Sequence, residues 1–387
     1  MVALVRRGLS IRAAARRAGM SYASAWMWVQ RARGSRLDRA DFSDRPAGCR
    51  QPRNRVSQRT QRRIIRLRQE LRTTSVLGEY GAAAIRRTMI QQRLTPVPSL
   101  RTIGRVLSRS GQLDARRRVR RPPPPAGWHL PLVAAGRAEL DSFDAVEGLR
   151  IKNGPFIETL NGVSLHGKLV ASWPATLVTS KLVISCLIQH WKAFGLPAYV
   201  QFDNGMIFHG AHRPDTLGRV ARLCLSLGVT PVFAPPREHG LQNQIEGYNA
   251  LWQRQVWRRF QHASLKELTI RSDAYVLARR QRVAPAGDAV PRRAFPKRWR
   301  MDLDAPLKGR VIFIRRTSEA GVVTILTRPF VVDREWQHRL VRAELDLDAD
   351  EIRFYRLRKR EPDDQPLLRR VAYQFPRRPF KPRRSRQ

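Results

Sequence analysis

Residues 201–208 read QFDNGMIF, residues 232–240 read VFAPPREHG, and residues 244–249 read QIEGYN. The first segment predicts a short apolar strand that ends in Asp203-Asn204-Gly205. The second predicts another strand that runs into a loop containing Pro and Gly. The third opens a long helix. Strand, strand and helix in this order predict part of an α/β domain.

The residues upstream complete that domain. We predict strands over residues 137–146, 154–164 and 169–173, and then an amphipathic helix over 180–194. A further helix around residues 217–227 separates the last two strands. Hairpins followed by alternating strands and helices predict a mixed, five-stranded sheet with helices on both faces.

Acidic residues fall at strand ends and at a helix start within this domain. Two-metal phosphoryl transfer needs carboxylates that converge on a pair of divalent ions. Asp203 follows a strand, where ligands of α/β sheets gather, although Asp-Asn-Gly is also an ordinary turn. Glu246 shares a polar helical stripe with Asn249 and Gln253, which is equally typical of a solvated helix face.

The first strand offers two candidates for a further acid, Asp141 and Asp144. They are three residues apart, so their side chains point to opposite faces of the sheet. Only one of them can therefore face the other acids.

These motifs, in this order, resemble the catalytic core of DDE transposases and retroviral-type integrases over roughly Glu139 to Arg282. The resemblance implies an RNase H-like core in which Asp141, Asp203 and Glu246 are catalytic and hold two Mg²⁺ or Mn²⁺ ions. It favours Asp141 over Asp144, because the family's first acid lies within the strand.

The chain departs from the family pattern in two places. The gap from Asp203 to Glu246 is 43 positions, which is longer than usual and fits an insertion around residues 209–219. The family often has a basic residue shortly after the glutamate to hold DNA. Here Arg254 or Arg258 would take that role, together with Asn249.

The first 126 residues read as two helical DNA-binding modules. Three short helices within residues 1–34 have the small residues and breaks of a helix-turn-helix, with an ordinary three-helix domain as the alternative. A second module follows the linker-like residues 35–56. Serines precede four of these helices as predicted N-caps: Ser10, Ser21, Ser57 and Ser99. The third helix carries side chains suited to a DNA groove, namely Tyr22, Ser24, Gln30, Arg31 and Arg33.

The charge supports a polyanionic partner. The 387 residues include 74 Lys and Arg against 31 Asp and Glu, a net charge of +43. Residues 1–126 hold +24 of it, residues 127–300 hold +11, and residues 301–387 hold +8. Arginine suits phosphate and guanine contacts, although GC-rich codon usage gives the same bias.

Four segments follow from these patterns. They are a helix-turn-helix domain with its linker (1–50), a second helical module with a basic, Pro-rich linker (51–126), the catalytic core (127–300), and a small all-β, SH3-like barrel with a basic, disordered tail (301–387). The barrel is predicted from short strands separated by turns.

Several classes of protein are disfavoured. The three cysteines form no CxxC pair, and His209 and His212 have no further ligands for zinc. The sequence has no P-loop, and its most apolar stretch, Leu169 to Trp191, is interrupted by Pro174 and Lys181. We therefore expect a cytoplasmic, nucleoid-associated protein of bacterial type with no membrane contact.

The combined reading is a transposase that cleaves DNA 3′ ends and transfers strands, and binds the terminal inverted repeats of its own element. Its partners would be double-stranded DNA, both element ends and target, and further copies of itself in a multimer on that DNA. The rival reading is a catalytically inactive, transposase-derived DNA-binding regulator.

Overall fold

The computed structural model describes residues 1–44, 56–113, 127–203, 205–210, 215–235, 238, 240–283, 290–359, 361, 364–376 and 380, without the side chain of His209. Parts of both predicted linkers, the predicted His209–His212 pair and most of the basic tail lie outside these residues. The chain divides into two compact units, residues 1–62 and 63–387.

The amino-terminal unit contains three short helices, as the sequence predicts. They are α1 (Val2–Arg6), α2 (Ile11–Arg17) and α3 (Tyr22–Ala32). Their small core includes Ala14, Ala25 and Ala32, which let the helices approach closely. Its assignment as a helix-turn-helix stays a prediction.

The boundary between the units falls within α4 (Gln58–Thr74), and α5 (Ala82–Gln91) and α6 (Leu100–Arg109) follow in the second unit. Apolar stripes of α4 and α6 pack together, with Ile64, Leu67, Ile103 and Leu107 buried in one cluster. All four predicted serine caps are confirmed, because each hydroxyl accepts a backbone N–H three residues on: Ser10, Ser21, Ser57 and Ser99.

A mixed sheet forms the centre of the second unit. The helices around it are α7 (Pro131–Ala134), α8 (Ser180–Phe194), α9 (Met206–His209), α10 (Arg219–Ser226), α11 (Asn243–Trp252) and α12 (Leu265–Arg282). Its strands are β1 (Leu140–Arg150), β2 (Phe156–Ser164), β3 (Val170–Ala175), β4 (Tyr199–Phe202), β5 (Thr230–Phe233), β6 (Arg310–Arg316), β9 (Leu340–Asp346), β10 (Glu351–Arg356) and β11 (Leu367–Ala372). A separate hairpin consists of β7 (Val322–Ile325) and β8 (Arg328–Val331).

The prediction of a five-stranded sheet is wrong, since the sheet has nine strands in the order β11-β10-β9-β6-β5-β4-β1-β2-β3. Four of the six strands after residue 301, namely β6, β9, β10 and β11, belong to this sheet. They join it because β6 pairs in parallel with β5, through Val232 with Ile312 and Phe233 with Phe313. These strands therefore extend the core sheet, and an SH3-like barrel is not confirmed. The packing is continuous too, since one apolar cluster contains Phe233, Phe313 and Phe354.

Helices cover both faces of the sheet. On one face, α8 and α10 pack against Phe143, Val200 and Phe202. On the other, α11 and α12 pack against Val146, Ile157 and Val163. Because side chains alternate along a strand, odd-numbered residues near Phe143 point toward α8, and even-numbered ones near Val146 point toward α11.

Gly162 gives a test of this packing. A Cβ added there would lie 2.4 Å from a ring carbon of Phe143, whose ring also packs against Phe202 and Trp173. We expect Gly162→Ala to lower the free energy of unfolding by about 1–3 kcal/mol through overpacking. The control is Gly104→Ala, where α6 leaves open space and alanine should stabilise by about 1 kcal/mol. Urea denaturation measures both, and equal effects would contradict this account of the packing.

Candidate active site

The two acids of β1 point to opposite faces, as the sequence predicts, and their surroundings differ completely. Asp141 shares the parity of Phe143 and points toward α8. Asp144 shares the parity of Val146 and points toward α11. The two acids therefore differ in the hydrogen-bond partners and charges that surround their carboxylates.

Asp141 is fully buried and fully bonded. Its carboxylate accepts hydrogen bonds from Ser164 Oγ at 2.8 Å and Trp191 Nε1 at 3.1 Å, and a two-pronged pair from Arg292 at 2.8 and 2.7 Å. Burial would raise the pKa of Asp141, but the hydrogen bonds and charge of Arg292 outweigh it and hold the pKa below its ordinary value. The neighbouring His190 is itself neutral, because burial lowers its pKa to about 4.

The geometry sets Asp141, the acid that the resemblance favours, apart from the other two predicted acids. Its oxygens are bonded to four donors, and its charge is neutralised by a guanidinium 151 positions away in the sequence. The structure does not bring Asp141 to Asp203 and Glu246. Its arrangement is that of a structural ion pair, which ties the segment around Arg292 to the core.

Asp144, the alternative acid of β1, lies on the α11 face of the sheet, near Asp203 and Glu246. The parallel pairing of β1 with β4 matches Ser142 with Gln201, and two positions further along come Asp144 and Asp203. Burial raises the pKa of Asp144 to about 6, and the negative charges of Asp203 and Glu246 contribute to the increase. Burial also raises the pKa of Asp203, although the backbone N–H of Gly205 partly offsets it.

Asn249 fixes the orientation of Asp144. Its side-chain amide donates to Asp144 Oδ2 at 2.7 Å and accepts from Asn161 Nδ2 at 2.8 Å. Asn161 lies directly opposite Asp144 on β2. Asn249, predicted as a DNA contact, has both ends of its amide engaged inside the protein. The spacing of Glu246 and Asn249 places the amide one helical turn after the glutamate, over β1.

The third acid is more open. Glu246 is in the first turn of α11 and is exposed. In the ranges that the structure describes, none of Asp144, Asp203 and Glu246 forms an ion pair with Arg or Lys. Over the same ranges, no three His, Cys, Asp or Glu side chains are close enough together to form a ready-made metal site.

The basic residues predicted after the glutamate lie beside the end of α11. Arg254 is in a π-helical turn over Gln253–Trp257 that continues α11, and Arg258 follows that turn. Both are exposed, and Arg258 donates to Gln253 Oε1 at 3.3 Å.

The DNA-contact residues predicted on α3 separate into two groups. Tyr22, Gln30 and Arg33 are exposed. Ser24 is half-buried and accepts from the Ser21 hydroxyl, and the half-buried Arg31 stacks on Trp28 and donates to Ser43 O. The sequence reading missed Trp26, which is 50% exposed. Its spacing of four from both Tyr22 and Gln30 was the available signal.

Comparisons with known proteins give structural likeness alone. No family model matches the chain, and no curated protein matches it. The catalytic core domain of BIV integrase aligns at 18% identity over 38% of this chain and 85% of its own, with a TM-score of 0.28. A simian T-cell lymphotropic virus intasome, solved with a PP2A regulatory subunit, aligns at 13% identity over 68% of this chain and 84% of its own, with a TM-score of 0.32. Neither likeness assigns a chemistry to this chain.

None of the helices within the described ranges combines the length and apolar character that a bilayer crossing requires.

The Asp141–Arg292 pair predicts a loss of stability when it is broken. Asp141→Asn or Arg292→Met alone should lower the free energy of unfolding by about 3–5 kcal/mol, because each leaves a buried group without its partner. The double variant should be less destabilised than the two single losses combined. Urea denaturation of the four proteins checks this, and strictly additive losses would contradict a direct pairing.

Replacing Asp144 should have the opposite effect on stability, raising the free energy of unfolding at neutral and alkaline pH. Its pKa is raised from 3.8 to about 6 in the folded protein, so the stability present below about pH 4 is lost as the pH rises through 6. Without divalent ions, Asp144→Asn should therefore be more stable than wild type at pH 8, by about 2 kcal/mol, and the difference should vanish near pH 4. The control is Glu147→Gln on the exposed side of the same strand. Denaturation curves between pH 4 and 8 measure the effect, and a difference that does not change with pH would contradict it.

Proposed function

We propose that this chain is a metal-dependent polynucleotidyl transferase of the DDE transposase type, with Asp144, Asp203 and Glu246 as its catalytic acids. The observation that carries the proposal is electrostatic. In a chain of net charge +43, burial and the negative charges of Asp203 and Glu246 raise the pKa of Asp144, and no Arg or Lys among the described residues forms an ion pair with these acids. Asp141, by contrast, forms an ion pair with Arg292.

The residues present fit Mg²⁺ or Mn²⁺. Hard divalent ions prefer carboxylate oxygens and retain several waters, so three acids on separate elements suffice. The half-buried Asp144 would be stabilised by a nearby cation, since desolvation and like charge both disfavour its ionised form. Glu246 is exposed at the start of α11, so its side chain is free to turn toward the strands.

Two bound ions would supply charge stabilisation for an in-line displacement at phosphorus and lower the pKa of an attacking water or 3′-hydroxyl. The chain's own residues contribute the rest. Asn249, supported by Asn161, holds Asp144 in one rotamer. The exposed Arg254 and Arg258 beside α11 are placed to meet DNA phosphates as these approach the acids.

The same chemistry serves hydrolysis of a phosphodiester and its attack by a 3′-hydroxyl, so one site supports 3′-end cleavage and strand transfer. Terminal inverted repeats would be recognised by the helices before residue 113. On α3 the exposed face with Tyr22, Trp26, Gln30 and Arg33 suits a DNA groove. Joining two DNA ends requires at least two protomers, so we include a multimer on DNA in the proposal.

The test compares the three proposed acids with Glu147, an exposed acid of β1. The substrates are duplexes copied from the DNA on both sides of the reading frame, together with a supercoiled plasmid as target, in Mg²⁺ or Mn²⁺. Asp144→Asn, Asp203→Asn and Glu246→Gln should each lower cleavage and strand transfer by about 100-fold or more, since each removes a metal-binding oxygen. Each variant should remain folded by circular dichroism.

Glu147→Gln is the matched control, because it neutralises an exposed acid of the same strand and should leave activity unchanged. Loss of activity in that control to the same extent would refute the assignment. If wild type and all three variants give the same products, or none, the enzymatic proposal fails. In that case the DNA-binding regulator is the correct reading.

A further inference from the structure

The second helical module, α4 to α6, presents one strongly basic helix face. Residues 56–113 contain twelve Arg, no Lys and two Glu. On α6, Ile103, Val106 and Leu107 point into the module's core. The opposite face carries Arg101, Arg105, Ser108 and Arg109, all of which are exposed.

The three arginines of this face are free of internal partners. Within the ranges that the structure describes, none of them forms an ion pair, a side-chain hydrogen bond or a stacking contact. Other arginines of the module are engaged: Arg87 pairs with Glu79, Arg63 donates to Gln92, and Arg68 packs on Tyr80. Arginines on other helices of the module are exposed as well, such as Arg62 and Arg66 of α4, and α6 carries three of them in one row on a single face.

The spacing of the arginines suits an extended polyanion. Arg101, Arg105 and Arg109 follow one another at intervals of four residues, about 6 Å along the helix axis for each step. Phosphates of one duplex strand follow one another at about 3.4 Å along the DNA axis. Three guanidiniums over about 12 Å can therefore contact several phosphates of one strand, or the two edges of a major groove.

The module is fixed to the catalytic core. Arg259 lies just after the π-helical turn and donates to three backbone carbonyls at the end of α4: Ser75 O at 2.6 Å, Thr73 O at 3.0 Å and Arg72 O at 3.3 Å. Those carbonyls are at the negative end of the helix, which favours a cation.

Three further contacts hold the loop after α4. Leu77 packs against the apolar cluster that contains Trp252 and Val256, and Glu79 forms an ion pair with Arg282 at 3.4 Å. Gly78 lies so close to Gln255 that a Cβ there would meet its side chain at 1.8 Å. The α6 face therefore belongs to the same compact unit as the acids, so its backbone needs no ordering when it binds.

We propose that the face formed by Arg101, Arg105, Ser108 and Arg109 binds the phosphate backbone of a DNA duplex. The choice of DNA as partner rests on the proposed function, while the surface itself rests on charge, exposure and fixed attachment. A duplex held there lies at a constant distance from Asp144 and Asp203, so α6 acts together with the catalytic core.

The test is duplex binding by the full chain in EDTA, where no catalysis occurs. Fluorescence anisotropy with a labelled 30-base-pair DNA duplex is measured at several KCl concentrations. The variant R101Q/R105Q/R109Q should bind about tenfold more weakly or worse at 100 mM salt. The slope of log K against log salt should fall by about 2–3, since each lost phosphate contact removes about 0.9.

Two matched variants serve as controls, one for removal of the same charge elsewhere and one for retained charge on α6. R298Q/R300Q/R334Q removes the same charge from exposed arginines of the carboxy-terminal region and should change the slope much less. R101K/R105K/R109K keeps the charge and should retain most of the slope. Equal effects of the two Gln triples would overturn the proposal, as would an unchanged slope in the α6 triple.

The assay also separates this surface from the catalytic proposal. If the α6 triple loses its salt-dependent binding and wild type never cleaves DNA, the α6 surface stands and the enzymatic proposal falls. If an RNA duplex binds more tightly than DNA and depends equally on the α6 arginines, DNA is the wrong partner.

Discussion

The alternation of side chains along β1 governs the rest of the site. It sends Asp141 to the face under α8 and Asp144 to the face under α11. On the first face the half-buried Arg292 neutralises the carboxylate, so that acid stabilises the fold. On the second face Asp203 and the start of α11 bring more negative charge, so that acid is held in an unfavourable ionised state. One strand thus carries a structural acid and a candidate catalytic acid three residues apart.

The basic composition of the chain makes the difference between the paired Asp141 and the unpaired Asp144 informative. A chain with 74 Lys and Arg could have paired every internal acid, and it does pair many of them, among them Glu79, Asp215 and Asp346. Partly buried carboxylates without an ion-pair partner destabilise such a chain unless a cation from solution neutralises their charge. The same excess of charge, displayed on free helix faces, attracts the polyanion whose phosphates would be brought to those carboxylates.

Much of the fold and of the site was predictable because its determinants are local. Serine caps, apolar helix stripes and the strand ending at Asp203 are encoded within a few residues, and alternation alone showed that Asp141 and Asp144 cannot both face the site. Which of the two does so depends on Arg292, 151 positions from Asp141. The nine-stranded sheet likewise depends on a short parallel pairing between β5 and β6, distant segments whose local patterns are ordinary strands. The role of Asn249 was missed because its partners come from two other strands.

The central claim is that divalent ions bind at Asp144 and Asp203 and not at Asp141. Anomalous diffraction from crystals of the full chain soaked in Mn²⁺ tests it most directly. The account predicts a peak within bonding distance of carboxylate oxygens of Asp144 and Asp203, with Asp141 still held by Arg292. A peak at Asp141 with Arg292 displaced, or no peak near Asp144 at saturating Mn²⁺, would contradict it.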